Sequence, residues 1–180
     1  MTKVINLFGG SGLGKSTTAA GLFYYMKLHD YHVELVSEFV KEWAWDSIQI
    51  KQYDQLYIAG QQAKRESRLY DKVDYIITDS PLLLSPIYEL FYNPTSIVLS
   101  SVLNFLSIAK LNGIVHYNFI LKRQKAFDTR GRFETEEQAK KVDQFVVDKL
   151  ADWGVDYATI DVPDDQRIEC ILNDVEGRWA

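Results

Sequence analysis

The chain reads as an α/β domain built on a parallel sheet, and three features predict it. An apolar run, Val4 to Phe8, leads into Gly9-Gly10-Ser11-Gly12-Leu13-Gly14-Lys15-Ser16-Thr17, and that stretch leads into a helical pattern. Apolar runs of strand length then alternate with longer amphipathic ones, the rhythm of successive βαβ crossovers. Finally, the run Val73 to Thr78 delivers an acidic residue, Asp79, to the sheet edge where an open α/β fold binds its ligands.

The composition suits such a domain. With 180 residues, 47% hydrophobic and 25% charged, the chain can bury a full core without staples and reads as one domain over 1–180. Cys170 is the single cysteine, so an intramolecular disulfide and a thiolate metal cluster are excluded and a reducing cytoplasm is expected. Its expected role is a small buried hydrophobe beside Ile171 and Leu172. No apolar run reaches membrane-spanning length and none resembles a leader, so no membrane partner is expected. A net charge of -5 argues against broad nonspecific binding to nucleic acid, while leaving room for a confined basic cleft.

Taken in order, the first strand is Val4–Phe8, and a helix from about Thr17 to Leu28 carries Ala19, Leu22, Phe23 and Met26 toward the sheet. Strand two is Val33–Val36. Ser37 could cap a helix starting at Glu38. A helical stripe follows over Ser47 to Tyr70, in which Gln61 and Gln62 could reach a base edge. Strand three is Val73–Thr78. The Leu-, Tyr- and Pro-rich stretch from Pro81 to Pro94 reads as an apolar pocket wall or a short helix. A helix over Ser96–Leu111 is stopped by Asn112-Gly113. Strand four is Val115–Leu121. The capping-box pattern Thr135-Glu136-Glu137-Gln138 launches a helix to about Leu150. Strand five lies at Tyr157–Ile160, and Asp164 or Asp165 could cap a terminal helix carrying Ile168, Ile171, Leu172 and Val175.

The chemistry concentrates at four places. Gly9, Gly14, Lys15 and Ser16 fill the P-loop pattern between a strand and a helix, as phosphate binding requires. Backbone N–H groups from Gly9 to Thr17 would curl round a triphosphate, Lys15 would reach its β/γ-phosphates, and Ser16 would join the Mg2+ shell. Glu38 ends strand two at the same rim, suited to accept a hydroxyl proton or fix a substrate hydroxyl. Asp79 ends strand three and could hold Mg2+, orient the acceptor or take its proton. Trp43 and Trp45 could line an acceptor pocket or pack in the core. After strand four the segment Lys122 to Arg132 gathers positive charge in an acidic chain, and Arg123 with Arg130 or Arg132 forms a candidate cationic clamp on a lid spanning about 122–134.

These features favour an ATP- and Mg2+-dependent kinase. A rim carboxylate, a strand-ending Asp-Ser and an arginine-rich excursion serve phosphoryl transfer, whereas the guanine-reading Asn-Lys-x-Asp of a GTP switch is absent. A P-loop ATPase coupled to a partner is the competing class.

Five stretches resemble a phage group related to thymidylate kinases, the 5-hydroxymethyluracil DNA kinases. They are residues 4–23, Val-Glu-Leu-Val-Ser-Glu at 33–38, Asp-Gln-Leu-Tyr-Ile-Ala-Gly-Gln-Gln at 54–62, Ile-Thr-Asp-Ser-Pro-Leu-Leu-Leu-Ser at 77–85 and Gly-Arg-Phe-Glu-Thr-Glu-Glu-Gln-Ala at 131–139. More distantly the chain is similar to nicotinamide-riboside and deoxynucleoside kinases. The resemblance implies a P-loop kinase fold with sheet order 2-3-1-4-5, ATP phosphates on Gly9–Thr17, Asp79 in the metal and acceptor site, and a lid around Arg130–Arg132. It implies phosphorylation of the base's hydroxymethyl group in phage DNA during thymidine hypermodification, in a host's cytoplasm. A free nucleoside or nucleoside monophosphate is the alternative acceptor. Monomer and homodimer both remain open.

Overall fold

The computed structural model describes residues 1–124 and 135–177. Its centre is a five-stranded, all-parallel sheet in the order β2-β3-β1-β4-β5, formed by β1 (Lys3–Phe8), β2 (Val33–Val36), β3 (Tyr75–Thr78), β4 (Val115–Leu121) and β5 (Ala158–Ile160). This is the order and direction expected of a P-loop kinase fold. β1 is flanked on both sides, Ile5 lying opposite Ile77 of β3 and Tyr117 of β4. Its residues from Val4 to Phe8 are all buried, as for a central parallel strand covered by helices on both faces.

The period-2 alternation of β1 decides which helix meets which side chain. Ile5 and Leu7 point into a core shared with Leu22 and Met26 of α1 (Lys15–Leu28) and Ile171 and Val175 of α7 (Arg167–Gly177). Phe8, on the opposite face, packs with Ile87 of α4 (Leu84–Tyr92), Val102 of α5 (Leu99–Leu111) and Val142, Val146 and Leu150 of α6 (Glu136–Asp152). The α6 start carries the capping box as read, with Thr135 and Gln138 exchanging side-chain and backbone hydrogen bonds.

Several elements differ from the sequence reading. The first helix starts at Lys15 rather than Thr17, because the glycine-rich loop runs directly into its first turn. Ser37 caps nothing: the next helix, α2, covers Lys41–Trp45 and has Val40 at its N-cap. The stripe read as one helix over Ser47–Tyr70 is broken. Ser47 takes a left-handed φ of 56°, and α3 runs only over Asp54–Ser67. The 81–94 stretch does form a helix, α4, with Pro86 tolerated in its first turn where no intrahelical donor is needed. Asp164, read as a possible cap of the terminal helix, pairs with Arg167, its first residue, 2.9 Å away.

Polar side chains cross the buried sheet on the α3 side. Asn6 of β1 donates to Asn118 Oδ1 at 2.9 Å and lies 3.1 Å from His116 Nδ1, while Asn118 donates to the Asp156 carbonyl. Gln62 of α3 donates to Thr78 Oγ1 and accepts from the Phe39 N–H, both at 3.3 Å. Only 2% exposed, Gln62 braces the ends of β2 and β3 instead of presenting its amide to a base.

Candidate nucleotide and acceptor site

The loop after β1 is shaped to receive an anion. Gly14 stands at the N-cap of α1 with φ 85°, a left-handed conformation costly for any residue with a Cβ. No side chain caps α1, and no acidic residue occupies its first turn. The orphan N–H groups and the positive end of the helix dipole therefore converge on the loop's concavity, where an oxyanion supplies the missing acceptors. The Ser11 hydroxyl, in the same loop, is buried and without a hydrogen-bond partner among the described residues. The Lys15 ammonium folds back onto the loop, donating to the carbonyls of Gly9 and Gly10 at 2.8 Å each. An ammonium held among its own loop carbonyls keeps its charge at the nest and can exchange them for phosphate oxygens.

The loop is gripped by two residues that the sequence did not single out. Asp143, on α6, accepts the Gly10 N–H at 2.7 Å and pairs with Arg123 at 2.8 Å. Arg123 also donates to the Ser11 carbonyl at 3.0 Å. Fully buried Arg167, at the start of α7, donates to the carbonyls of Leu13 at 2.8 Å and Lys122 at 2.7 Å. A Cβ on Gly10 would come within 2.6 Å of the Ala139 carbonyl oxygen, so glycine is needed there to let α6 approach the loop. Asp143 and Arg167 lie in amphipathic helices where a lone charge normally reads as a solvated face. Only the tertiary packing reveals their partners.

Across the rim, Glu38 and Asp79 meet. The Glu38 backbone N–H donates to Asp79 Oδ1 at 3.0 Å, tying the second residue after β2 to the residue after β3 and fixing one carboxylate oxygen of Asp79. Asp79 is 6% exposed. Thr78 Oγ1 accepts the Ser80 N–H at 3.1 Å, which shapes the turn that carries Asp79. Since β1, β2 and β3 are parallel neighbours, the P-loop, Glu38 and Asp79 leave the same edge of the sheet.

Beyond Glu38 lies an aromatic cluster. Trp43 and Tyr57 face each other with ring centroids 6.4 Å apart and planes within 16°, and Phe39 meets both edge-on. The Arg65 guanidinium sits 4.9 Å from the Phe39 ring centroid. Trp45, Tyr53 and Tyr57 are more than half exposed, so Trp45 belongs to the surface rather than to a core. Arg130 and Arg132 lie outside the described residues. Arg123, its neighbour in the proposed clamp, is directed at Asp143 and the loop.

Mg2+ fits these residues in one manner. Among the described residues no three His, Cys, Asp or Glu side chains converge on a point, so there is no all-protein cage. Ser16 and Asp79 would contribute one oxygen each, with phosphates and water completing the octahedron that Mg2+ prefers. Among the described residues no helix is long and apolar enough to cross a membrane.

A strand, a glycine-rich nest and an uncapped helix at the centre of a 2-3-1-4-5 parallel sheet define a P-loop nucleotide-binding domain with the kinase fold. The chain belongs to the AAA domain family, whose model matches residues 4–167. A search of curated proteins finds no match. Among solved structures it is similar to the deoxyadenosine kinase from M. mycoides with dCMP and dCDP bound, at 17% identity and a TM-score of 0.62, with 97% of this chain and 99% of that one covered. NadR protein in complex with NR aligns at 14% identity and a TM-score of 0.73, covering 98% of this chain and 50% of that one. The APS kinase CysC of Mycobacterium tuberculosis aligns at 13% identity and a TM-score of 0.56, covering 97% of both chains.

Proposed function

We propose that the protein is an ATP- and Mg2+-dependent kinase that phosphorylates a hydroxyl on a base-bearing acceptor, and that the acceptor is 5-hydroxymethyluracil in DNA. One observation carries the kinase reading: the Glu38 backbone N–H fixes the Asp79 carboxylate at the end of β3, on the sheet edge from which the anion nest also leaves. Phosphoryl transfer depends on positioning and charge neutralisation, and each requirement has a residue here. Gly9–Thr17 binds the triphosphate. Lys15 and the lid arginines (Arg130 or Arg132, with Arg123 at the lid's base) meet charge on the transferring group, and Asp79 or Glu38 receives the acceptor's proton. Mg2+, held through Ser16 and Asp79, supplies further neutralisation of the phosphates. The similar structures of a deoxyadenosine kinase and an APS kinase support this reading.

For the acceptor, support comes from the resemblance in sequence and from the aromatic cluster of Phe39, Trp43 and Tyr57 next to Glu38. Partly exposed rings close behind the strand end suit a base extracted from its stack, which needs an aromatic surface to replace the lost stacking. A free nucleoside or nucleotide is the second reading, favoured by the dCMP and NR bound in similar structures. The test incubates γ-labelled ATP with DNA containing 5-hydroxymethyluracil, ordinary DNA, free nucleosides and nucleoside monophosphates. Label in the modified DNA alone is expected. Label only in a free acceptor refutes the DNA reading, and phosphate release without a labelled acceptor refutes the kinase in favour of a coupled ATPase.

A further inference from the structure

The Gly10 peptide is held from both sides. Its N–H goes to Asp143 Oδ1 at 2.7 Å, and its carbonyl accepts from the Lys15 ammonium at 2.8 Å. The other Asp143 oxygen takes two bonds from Arg123, from Nε at 3.1 Å and from Nη2 at 2.8 Å. Nη2 in turn reaches the carbonyl of Ser11, the next residue of the loop. One carboxylate on α6 thus joins the end of β4, which carries Arg123, to the entry of the P-loop. Both partners are largely shielded, the side chains of Arg123 and Asp143 being 13% and 26% exposed. Breaking such a shielded pair from one side leaves a charge poorly compensated.

We propose that Asp143 is a positioning residue of the phosphate site, which orients Arg123 and sets the conformation of the Gly10 peptide. The inference rests on the nucleotide-binding half of the kinase reading and not on the acceptor. The direction of the effect follows from where Asp143 binds. It engages Gly10 on the side of the loop that faces α6, five positions before α1 and its open N–H groups begin at Lys15. Asp143 therefore acts on the entry of the nest and not on the N–H groups of α1. A bare carboxylate this close to a triphosphate would repel it, and Arg123 together with the Gly10 N–H neutralises that repulsion. Arg123 thereby serves the nucleotide by cancelling Asp143 as well as by its own charge.

A non-additive pattern follows. Asp143→Asn keeps an acceptor for the Gly10 N–H and loses the charged pair. Arg123→Gln leaves Asp143 uncompensated. The double variant removes both charges together. The experiment titrates Mg·ADP and Mg·ATP by calorimetry into the wild-type chain, the two single variants, the double variant and Asp148→Asn, a surface control on the same helix. Melting temperatures without nucleotide are recorded alongside. Asp143→Asn is expected to weaken binding about tenfold, the scale of one charged hydrogen bond. Arg123→Gln should weaken it more, and adding Asp143→Asn to it should recover part of the loss. Asp148→Asn should bind like wild type. A pair acting only through general stability would show its rescue in the melting temperatures and leave the nucleotide affinity of the folded chain unchanged, since contacting residues are non-additive in stability too. Wild-type binding with Asp143→Asn unchanged or tighter overturns the positioning role alone, and so does a double variant weaker than Arg123→Gln. Failure of the wild-type chain to bind Mg-nucleotide overturns this role and the kinase reading together.

Discussion

Replacing Glu66 with glutamine should make the protein more stable at alkaline pH and leave it nearly unchanged at acid pH. Glu66 lies one helical turn beyond Gln62 on α3 and is fully buried. Tyr70 donates its hydroxyl to Glu66 Oε1 at 2.5 Å, and Oε2 has no hydrogen-bond partner among the described residues. Burial pushes the carboxyl up from 4.5 to about 7, with the Tyr70 hydrogen bond opposing the rise. Below pH 4.5 folded and unfolded chains both hold the proton, and Glu66 costs nothing. Between 4.5 and about 7 the unfolded chain ionises first, so stability falls as pH rises, and above about 7 the loss levels off. A rise of about 2.5 units at about 1.4 kcal/mol each corresponds to a loss of about 3 kcal/mol by pH 8. Glutamine retains an acceptor for Tyr70 and removes the titration. Urea unfolding of both proteins at pH 4.5, 6, 7 and 8 measures the difference directly. His116 titrates in the opposite sense, since burial lowers it to about 4 and it costs stability as pH falls from 6.5. Being common to both proteins, it cancels in the difference. An advantage of Glu66→Gln that stays constant from pH 4.5 to 8, or shrinks as pH rises, refutes the reasoning.

Three further outcomes are expected. Gly10→Ala should cost about 1–3 kcal/mol in unfolding experiments and weaken Mg·ADP binding, because its Cβ must push α6 away from the loop, and unchanged binding would contradict the close approach. Lys15→Ala should abolish every ATP-dependent activity, whereas Asp79→Asn should greatly reduce transfer while far-UV circular dichroism remains wild-type. Near-normal transfer by the latter would remove Asp79 from the site. Tyr57→Ala should raise KM for the acceptor by about tenfold, since base–aromatic stacking is worth about 1–3 kcal/mol, and should leave KM for ATP alone. A shift in the ATP value instead would move the aromatic cluster to the nucleotide side.

The elements most legible in the sequence are those whose signals are local. Val33–Val36 and Val115–Leu121 form the strands read from their apolar runs, and the Thr135–Gln138 box opens α6 where its reciprocal hydrogen bonds demand. Where a local signal was ambiguous the reading slipped. Ile50, Tyr53, Leu56 and Tyr57 follow helical spacing, yet residues 46–53 turn outside any helix, Tyr53 is exposed and Tyr57 joins the cluster of Phe39 and Trp43. Spacing alone does not tell a stripe that packs on a sheet from one facing solvent.

By itself the sequence determined the nest and the rim: a glycine pattern ending in Lys15 and Ser16, and strands ending before Glu38 and at Asp79. Each is written in consecutive residues, because backbone conformation and strand direction are short-range properties. Only the tertiary structure decided what holds the nest in shape. Asp143, Arg167 and Gln62 act through partners 133, 154 and 23 or 16 positions away, and nothing in a helix's own periodicity marks which of its polar residues will meet a loop when the sheet closes. Gly10 shows both levels in one residue: its place in the loop is written in the motif, while its need to be glycine comes from Ala139 on a helix packed against it.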